Sequence, residues 1–387
     1  MNDGPLQSPP NPSPDDSGIN TRARARRIDR YFKAMTKTKA SDLHLKADTA
    51  AKFRIRGEIH HVENNPLTHE DIEAMMAELM DERQRAAYAK KGSVDFAYQM
   101  EGGDRFRINV YRQRGRTSVA ARRVPREIRT YRELNLPDSV GELAKLNQGL
   151  VLFAGITGSG KSTSIAAVLE QINLTRACHI MTLEDPIEFL YDDKKAFVNQ
   201  REIGLDVENF TEALKYVLRE DPDVILIGEL RDQDTFAAAL SAAETGHLVF
   251  ATIHASSAAG TIGRILDLFP EEARPQIRML LAFNLQAVVC LKLLPGIRPD
   301  LPRLPCCEIL LNNPSVRKLI AEQRDGEIGA VIRNSYHEGM IDFTESLRRL
   351  AEQELIAVKT AYTVAPNPDE LKMRLKGISV TGGGIIG

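Results

Sequence analysis

Four short runs of apolar residues in the middle of the chain predict buried strands. They cover residues 150–154, 179–183, 224–228 and 248–253. Stretches with helical spacing separate the runs, and this alternation is typical of a parallel sheet whose strands are joined by crossover helices. After residue 276 the strand signals fade and helical spacing dominates. We therefore predict an α/β domain over residues 138–365, with a mainly parallel sheet and a helical C-terminal part.

The first third of the chain has a different pattern. Apolar and polar residues alternate, as in half-buried strands, over residues 42–45, 53–56, 94–98, 106–111 and 118–124. Residues 26–35 and 71–90 have the spacing of helices. We therefore predict a small α+β domain over residues 22–124, joined to the larger domain by a linker at residues 125–137.

Both ends of the chain are predicted to lie outside these domains. Residues 1–21 contain five prolines among serine, asparagine and aspartate. Such a segment cannot bury a core, and the composition predicts disorder. Residues 366–387 finish in a glycine-rich sequence and are predicted to form a C-terminal tail.

Length and composition narrow the class of protein. A chain of 387 residues is longer than those that usually fold around a single hydrophobic core, which agrees with two domains. The longest apolar stretch, 279–291, is too short to cross a bilayer, and no secretory signal is visible. The four cysteines lack C-x-x-C spacing, so free thiols in a reducing compartment are expected. The net charge of −2 disfavours extensive wrapping of nucleic acid.

A complete phosphate-binding loop, G-I-T-G-S-G-K-S, follows the first predicted strand of the larger domain and precedes a predicted helix. Strand, glycine turn and helix form the context in which backbone N–H groups converge on phosphates. Lys161 would reach the β- and γ-phosphates, and the hydroxyl of Ser162 would bind Mg²⁺. The residues predicted to bind ATP are Gly155, Thr157, Gly158, Ser159, Gly160, Lys161, Ser162 and Thr163.

Acidic residues and a histidine follow the other predicted strands. Glu184, Asp185 and Glu188 come after the second strand, Glu229 after the third, and His254 after the fourth. Because ligands bind beyond the carboxyl ends of parallel strands, these side chains are expected on the same edge as Lys161. Phosphoryl transfer needs such groups: an acid that holds Mg²⁺, a base that orients the attacking water, and a polar side chain that senses the γ-phosphate. For His254, a structural or sensing role and direct chemistry both stay open.

Charge is distributed unevenly along the chain. Residues 105–132 contain ten arginines and one acid, whereas residues 184–244 contain sixteen acids and six basic residues. Two solvated faces are one interpretation of this asymmetry. Arginines that approach a nucleotide are a second interpretation, and contact with nucleic acid is a third, which the few interleaved aromatic residues disfavour.

Five segments together resemble the secretion ATPases of bacterial type IV pilus, type II and type IV secretion systems, specifically their pilus-retraction (PilT/PilU) type. They are residues 40–45, 155–163, 180–189, 219–232 and 243–254, which are similar to the opening strand, Walker A, Asp box, Walker B and His box. Ile156 stands where proline is usual, and Leu230 stands where methionine is commoner. Residues 315–322 resemble the C-terminal helix of the retraction branch, although Ser315 replaces the more usual alanine.

The resemblance implies a PAS-like N-terminal domain and a RecA-like P-loop NTPase domain in each subunit of a homohexamer. It implies that Glu188 is the general base and Glu229 the Walker B acid, with Mg²⁺ held by Ser162 and Glu229. His254 matches the His-box histidine, while Arg107 and Arg123 match N-domain arginines that reach the nucleotide.

A function follows from the same resemblance: ATP hydrolysis that drives type IV pilus retraction and twitching motility. The expected partners are a platform protein of the inner membrane and a paralogous retraction ATPase, with no stable binding of nucleic acid. The expected location is the cytoplasmic face of that membrane. The additional N-terminal region and four-cysteine zinc module of the extension ATPases are missing, which favours retraction.

Other functions stay open at this point. The chain could serve a related secretion or conjugation apparatus, or act as an accessory retraction paralogue. A nucleic-acid translocase built on the same ring is a further alternative. An inactive scaffold ring is disfavoured, since an idle ring has no physical need of Lys161, Glu188 and Glu229.

Overall fold

The computed structural model describes residues 26–124 and 126–377, which form two compact units that divide between Arg123 and Val124. The predicted tail at residues 1–21 lies outside the described residues, as do residues 378–387. Among the described helices, none is long and apolar enough to cross a membrane.

The first unit is a six-stranded sheet with three helices. Its elements are α1 (Asp29–Thr38), β1 (Asp42–Lys46), β2 (Lys52–Ile55), β3 (Glu58–His61), α2 (His69–Ala77), α3 (Glu82–Lys91), β4 (Ser93–Gln99), β5 (Arg105–Gln113) and β6 (Arg116–Val124). The strand order is β3-β2-β1-β6-β5-β4. Phe32 of α1 stacks on Phe106 of β5, with ring centroids 3.9 Å apart, inside a core of buried apolar side chains.

Two details of the first unit differ from the sequence prediction. Residues 71–90, predicted as one helix, form α2 and α3 with a break between them. Asp81 caps α3: its carboxylate accepts from the N–H of Gln84, and its own N–H donates to the Gln84 side chain. This capping box starts a new helix where apolar spacing alone predicts continuity. Strand β3 was not predicted, because all four of its residues are exposed and give no alternating pattern.

The second unit contains a seven-stranded sheet with helices. Its elements are α4 (Asp138–Glu142), β7 (Gly149–Ala154), α5 (Lys161–Thr175), β8 (His179–Glu184), β9 (Phe197–Glu202), α6 (Phe210–Val217), β10 (Val224–Ile227), α7 (Gln233–Glu244), β11 (Leu248–Ile253), α8 (Ala258–Leu266), α9 (Arg274–Asn284), β12 (Leu285–Pro295), β13 (Arg303–Leu311), α10 (Pro314–Ala321), α11 (Ile328–Asn334), α12 (Phe343–Glu352), α13 (Val358–Val364) and α14 (Pro368–Leu375). The strand order is β13-β12-β7-β11-β10-β8-β9. The neighbouring strands β12, β7, β11, β10, β8 and β9 are all parallel. Strand β13, at the edge of the sheet, pairs antiparallel with β12.

The four strands predicted from apolar runs are β7, β8, β10 and β11. Every residue of β7, β10 and β11 is buried, because helices cover both faces of this parallel sheet. One face packs against a cluster that includes Val168 and Leu169 of α5, and the other against a cluster that includes Phe236 of α7. The carboxyl ends of the four strands therefore share one edge of the sheet.

The prediction that strand signals end at residue 276 was wrong. Strands β12 and β13 extend the sheet beyond β7, and the helical part begins only with α10. The apolar stretch 279–291 divides between the end of α9 and the start of β12, so neither period is visible in it. Helix α14 lies in the segment predicted as a tail: Leu371 is buried, and Arg374 pairs with Asp342 before α12.

Candidate active site

The conformation of the loop between β7 and α5 depends on its glycines. Gly155, Gly158 and Gly160 have φ values of 146°, 77° and 96°, which side chains rarely adopt. A Cβ atom on Gly155 would also lie 2.5 Å from Oγ of Ser159 and 2.7 Å from the carbonyl oxygen of Leu291. The loop therefore needs glycine at Gly155 for space as well as conformation.

Lys161 begins α5 and folds back over the loop. Its Nζ atom donates to the carbonyl oxygens of Gly155 at 2.8 Å and Ile156 at 3.1 Å. Burial lowers the pKa of Lys161, while the nearby charges of Glu229 and Glu188 act to raise it. The ends of β8 and β10 thus bring both predicted carboxylates close to the lysine, as the strand order requires.

A cavity of about 370 Å³ lies above this edge of the sheet. This volume is within the range of small-molecule sites. It is lined by most of the residues predicted from the sequence: Thr157, Gly158, Gly160, Lys161, Ser162, Thr163, Asp185, Glu188, Glu229 and His254. Gly155 and Ser159 are buried beneath the loop instead, where they shape its backbone.

Glu229 is the centre of a charged cluster in the cavity. Its carboxylate lies 2.6 Å from Nη2 of Arg231 and 3.1 Å from Nε2 of His254. Burial acts to raise the pKa of Glu229, but the hydrogen bond and charge of Arg231, with the charges of His254 and Lys161, lower it overall. The carboxylate therefore stays ionised, as a cation ligand must.

The chain before Glu229 is tied to the neighbouring strand. The hydroxyl of Thr252 in β11 donates to the carbonyl oxygen of Gly228 at 2.6 Å, and the N–H of Leu230 donates to the Thr252 carbonyl at 2.9 Å. A Cβ on Gly228 would lie 3.2 Å from the carbonyl oxygen of Leu183, so the backbone passes close to β8 as well. These contacts fix Glu229 between the strands that present Glu188 and His254.

Ser162 and Glu229 fit a magnesium ion of the kind that nucleotides bring. Among the residues that the structure describes, no group of three or more His, Cys, Asp or Glu side chains could hold a metal ion. Mg²⁺ in nucleotide sites takes one or two protein oxygens, with phosphates and waters as its other ligands. One hydroxyl and one ionised carboxylate beside a phosphate loop match that requirement.

The predicted arginines belong to the first unit. Arg123 of β6 donates from Nη1 to Asp104 at 3.0 Å, and its side chain is 18% exposed. Arg107 of β5 lies opposite Ala97 and, within the described residues, makes no side-chain hydrogen bond or ion pair. Their approach to a nucleotide stays a prediction.

Much of the basic block is neutralised locally. Among the described residues, at least five of its ten arginines pair with aspartates of the same unit: Arg116 with Asp48, Arg122 with Asp42, Arg123 with Asp104, Arg126 with Asp192 and Arg132 with Asp138. The charge available to a partner is therefore smaller than the sequence count indicates.

Among the cavity-lining side chains that were not selected from the sequence are Arg231, Arg303 and Leu293. Arg231 follows Glu229 by two residues, and only its ion pair reveals a role. Arg303 and Leu293 reach the cavity from β13 and β12, which were not predicted as strands. Leu293 lies 4.0 Å from the position of a Cβ on Gly160, so it packs against the phosphate loop.

Comparison with known proteins agrees with this geometry. The family model of the Type II/IV secretion system protein matches residues 20–303. The type IV pilus retraction ATPase PilT of Pseudomonas aeruginosa is 39% identical over 330 residues, which cover 85% of this chain and 95% of PilT. The type IV pilus ATPase PilU of the same organism is 36% identical over 350 residues, covering 90% and 91% of the two chains.

A solved structure extends the likeness to three dimensions. The crystal structure of the pilus retraction motor PilT with bound ADP superposes with a TM-score of 0.83 at 40% identity, covering 90% of this chain and 99% of that one. Because 90% of this chain is covered, the match extends into both units. The chain belongs to the Type II/IV secretion system protein family, and within it to the PilT and PilU type IV pilus retraction ATPases.

Proposed function

We propose that this chain is the subunit of a homohexameric motor that hydrolyses ATP to power type IV pilus retraction. The observation that carries the proposal is the meeting of Lys161, Glu188, Glu229 and His254 around one cavity at the carboxyl edge of the sheet. The assignment to type IV pili rests on the similarity to PilT and PilU, which are type IV pilus ATPases.

Each residue of the site has a distinct task in this proposal. The phosphate loop and the N-terminus of α5 bind the phosphates, and Lys161 leaves the loop carbonyls to reach them. Glu188 is exposed in the cavity and orients the attacking water as general base. Ser162 and Glu229 would hold Mg²⁺, and the bound ion would supply positive charge to the phosphate oxygens. His254, bonded to Glu229, senses the γ-phosphate.

Arg107 and Arg123 complete the site from the N-terminal unit of a subunit in the ring. Their charge matters most as negative charge develops on the transferring phosphoryl group. A ring requires a head-to-tail interface that closes on itself, and a basic surface facing an acidic rim suits such an interface. The motor works with a platform protein at the cytoplasmic face of the inner membrane.

Deletion of the encoding gene tests the pilus function, with surface pili and twitching motility as readouts. A retraction motor predicts abundant pili and lost twitching, restored by the wild-type gene and not by Lys161→Ala. Normal piliation together with a secretion or conjugation defect would contradict the proposal. DNA-stimulated hydrolysis by the purified protein would favour a translocase instead.

The likeness to PilU favours a second candidate, an accessory retraction ATPase beside a main motor. The two relatives differ by only three percentage points in identity, and both are matched over most of their length. Deletion then leaves twitching intact against low load, whereas deletion of a main motor abolishes it.

A further inference from the structure

The loop that carries Glu188 is held by side chains of the sheet. It connects β8 to β9, and two polar residues of these strands point towards it. Glu184 is the last residue of β8, and Gln200 lies in β9 opposite Thr182. Neither residue has a task in the mechanism proposed above.

Gln200 binds the loop on the far side of Glu188. Its Nε2 atom donates to the carbonyl oxygen of Phe189 at 2.9 Å, and its Oε1 accepts from the N–H of Tyr191 at 3.0 Å. The same Nε2 donates to Oε1 of Glu184 at 3.1 Å. One amide therefore fixes the chain just after Glu188 and joins it to the carboxylate at the end of β8.

Glu184 binds the loop at Glu188 itself. Its Oε2 atom accepts from the backbone N–H of Glu188 at 3.4 Å, while Oε1 accepts from the hydroxyl of Thr182 at 2.7 Å. Glu184 is only 8% exposed, and burial raises its pKa to about 7. A buried carboxylate is costly where an apolar residue could end a strand, so its hydrogen bonds need a purpose beyond packing.

We propose that Glu184 and Gln200 are positioning residues that hold the carboxylate of Glu188 in its catalytic place. This inference rests on the proposed role of Glu188 as general base. A base must lie within hydrogen-bond distance of the water it activates. A displacement of about 1 Å can lower the rate by roughly 10²-fold.

At pH 8, where Glu184 is mostly ionised, Glu184→Gln separates positioning from packing, because glutamine has the shape of glutamate but only one acceptor oxygen. Whichever way the new amide is turned, its NH₂ group faces the N–H of Glu188 or the Nε2 of Gln200. We expect kcat to fall by roughly 10-fold or more, while the affinity for ATP and the assembly state stay within about twofold. Thr182→Val is the matched control, since it removes one donor to Glu184 and leaves the loop bonds intact. We expect it to change kcat by less than about threefold.

A double-mutant cycle with Glu188→Gln gives the decisive test. If Glu184 acts through Glu188, Glu184→Gln causes no further loss of the residual turnover in the Glu188→Gln protein. Equal losses in both backgrounds would overturn the positioning role. Near-normal turnover of Glu188→Gln alone would instead show that Glu188 is not the base, so a failure of the assignment on which this inference rests is distinguishable from a failure of the positioning role. If circular dichroism shows that Glu184→Gln does not fold, Gln200→Ala replaces it in the double-mutant cycle. A loss of turnover only in the background with Glu188 then supports the positioning role, and equal losses in both backgrounds overturn it.

Discussion

Nε2 of His254 lies 3.1 Å from Oε1 of Glu229, so the residues that follow two neighbouring strands meet side chain to side chain. Strands β10 and β11 are parallel, with Ile227 opposite Ala251, and this register brings their carboxyl ends level. A change at either residue is therefore transmitted directly to the other. The contact allows His254 to orient the carboxylate of Glu229, which we propose as a ligand of Mg²⁺.

His254→Ala is expected to lower kcat by roughly 10-fold or more, the order expected when a charged group loses a hydrogen bond. His254→Gln keeps a donor near the same position, so it should retain clearly more activity than His254→Ala. Steady-state ATPase rates at saturating nucleotide compare the two variants. Equal activity of both variants and wild type would show that the contact with Glu229 has no catalytic consequence.

Lys161→Ala and Glu188→Gln are both expected to reduce turnover to a small residual rate while leaving the fold intact. Loss of a positioned base typically costs roughly 10²- to 10⁴-fold in rate. Lys161→Ala should also weaken nucleotide binding, because we propose that its ammonium group contacts the phosphates, whereas Glu188→Gln should not. ATPase assays, nucleotide titrations and circular dichroism separate the two. Near-normal turnover in Glu188→Gln would transfer the role of base to Glu229.

The site could be predicted largely from the sequence because its residues lie next to strong local signals. The phosphate loop fixes its own backbone through Gly155 and Gly160, and Glu229 and His254 directly follow continuous apolar runs. In a parallel sheet, the residue after each buried strand must face the ligand edge. Local sequence and topology were therefore sufficient for these residues.

The parts that could not be predicted depend on contacts between distant residues. The residues of strand β9 are mostly polar and only partly buried, so the strand is recognisable only from its pairing with β8. Gln200 was missed with it, although its amide holds the loop of Glu188. Strand β12 follows α9 without a break in hydrophobicity and was missed, and β13 with Arg303, which pairs with β12, was missed with it. The pairing of Arg231 with Glu229 is likewise visible only in three dimensions.

Glu184 predicts an unusual dependence of stability on pH. Its pKa rises from 4.5 to about 7 in the folded protein, chiefly through burial, so the folded state holds a proton that the unfolded state releases in this range. The contribution of Glu184 to stability therefore falls as pH rises from about 4.5 to 7, by an amount on the order of 3 kcal/mol. Glu184→Gln cannot titrate and should lose this slope. Thermal unfolding of both proteins at pH 5 and pH 8 measures the difference, and parallel behaviour would contradict the assignment.

Assembly is expected to depend on salt. If arginines of residues 105–132 face the acidic rim of a neighbouring subunit, hexamers should form at low salt with nucleotide and weaken as salt screens the charges. Because at least five of the ten arginines already pair within their unit, we expect a moderate rather than a complete loss at high salt. Sedimentation at several salt concentrations measures this. A monomer at low salt with nucleotide present would contradict the ring.

Arg107 and Arg123 should differ in what their removal does. Arg123 pairs with Asp104, so Arg123→Ala leaves a mostly buried aspartate unpaired and should lower the stability of the N-terminal unit as well as turnover. Arg107→Ala breaks no ion pair among the described residues and should affect turnover alone. Arg114→Ala, in the exposed turn between β5 and β6, is the matched control and should be nearly silent. Equal loss of turnover in Arg107→Ala and Arg114→Ala would remove Arg107 from the catalytic site.

Mixing subunits decides whether these arginines act across the ring. An arginine supplied to a γ-phosphate can contribute roughly 10³-fold or more to the rate, and Arg→Lys is damaging because lysine lacks the planar fork. Arg107→Ala and Lys161→Ala subunits are each expected to be inactive alone. In mixed rings, some interfaces pair an intact phosphate loop with an intact arginine, so activity should partly return. Mixed assembly must be verified with differently tagged subunits. Proven mixed rings without recovery would mean that Arg107 acts within its own subunit or takes no part in hydrolysis.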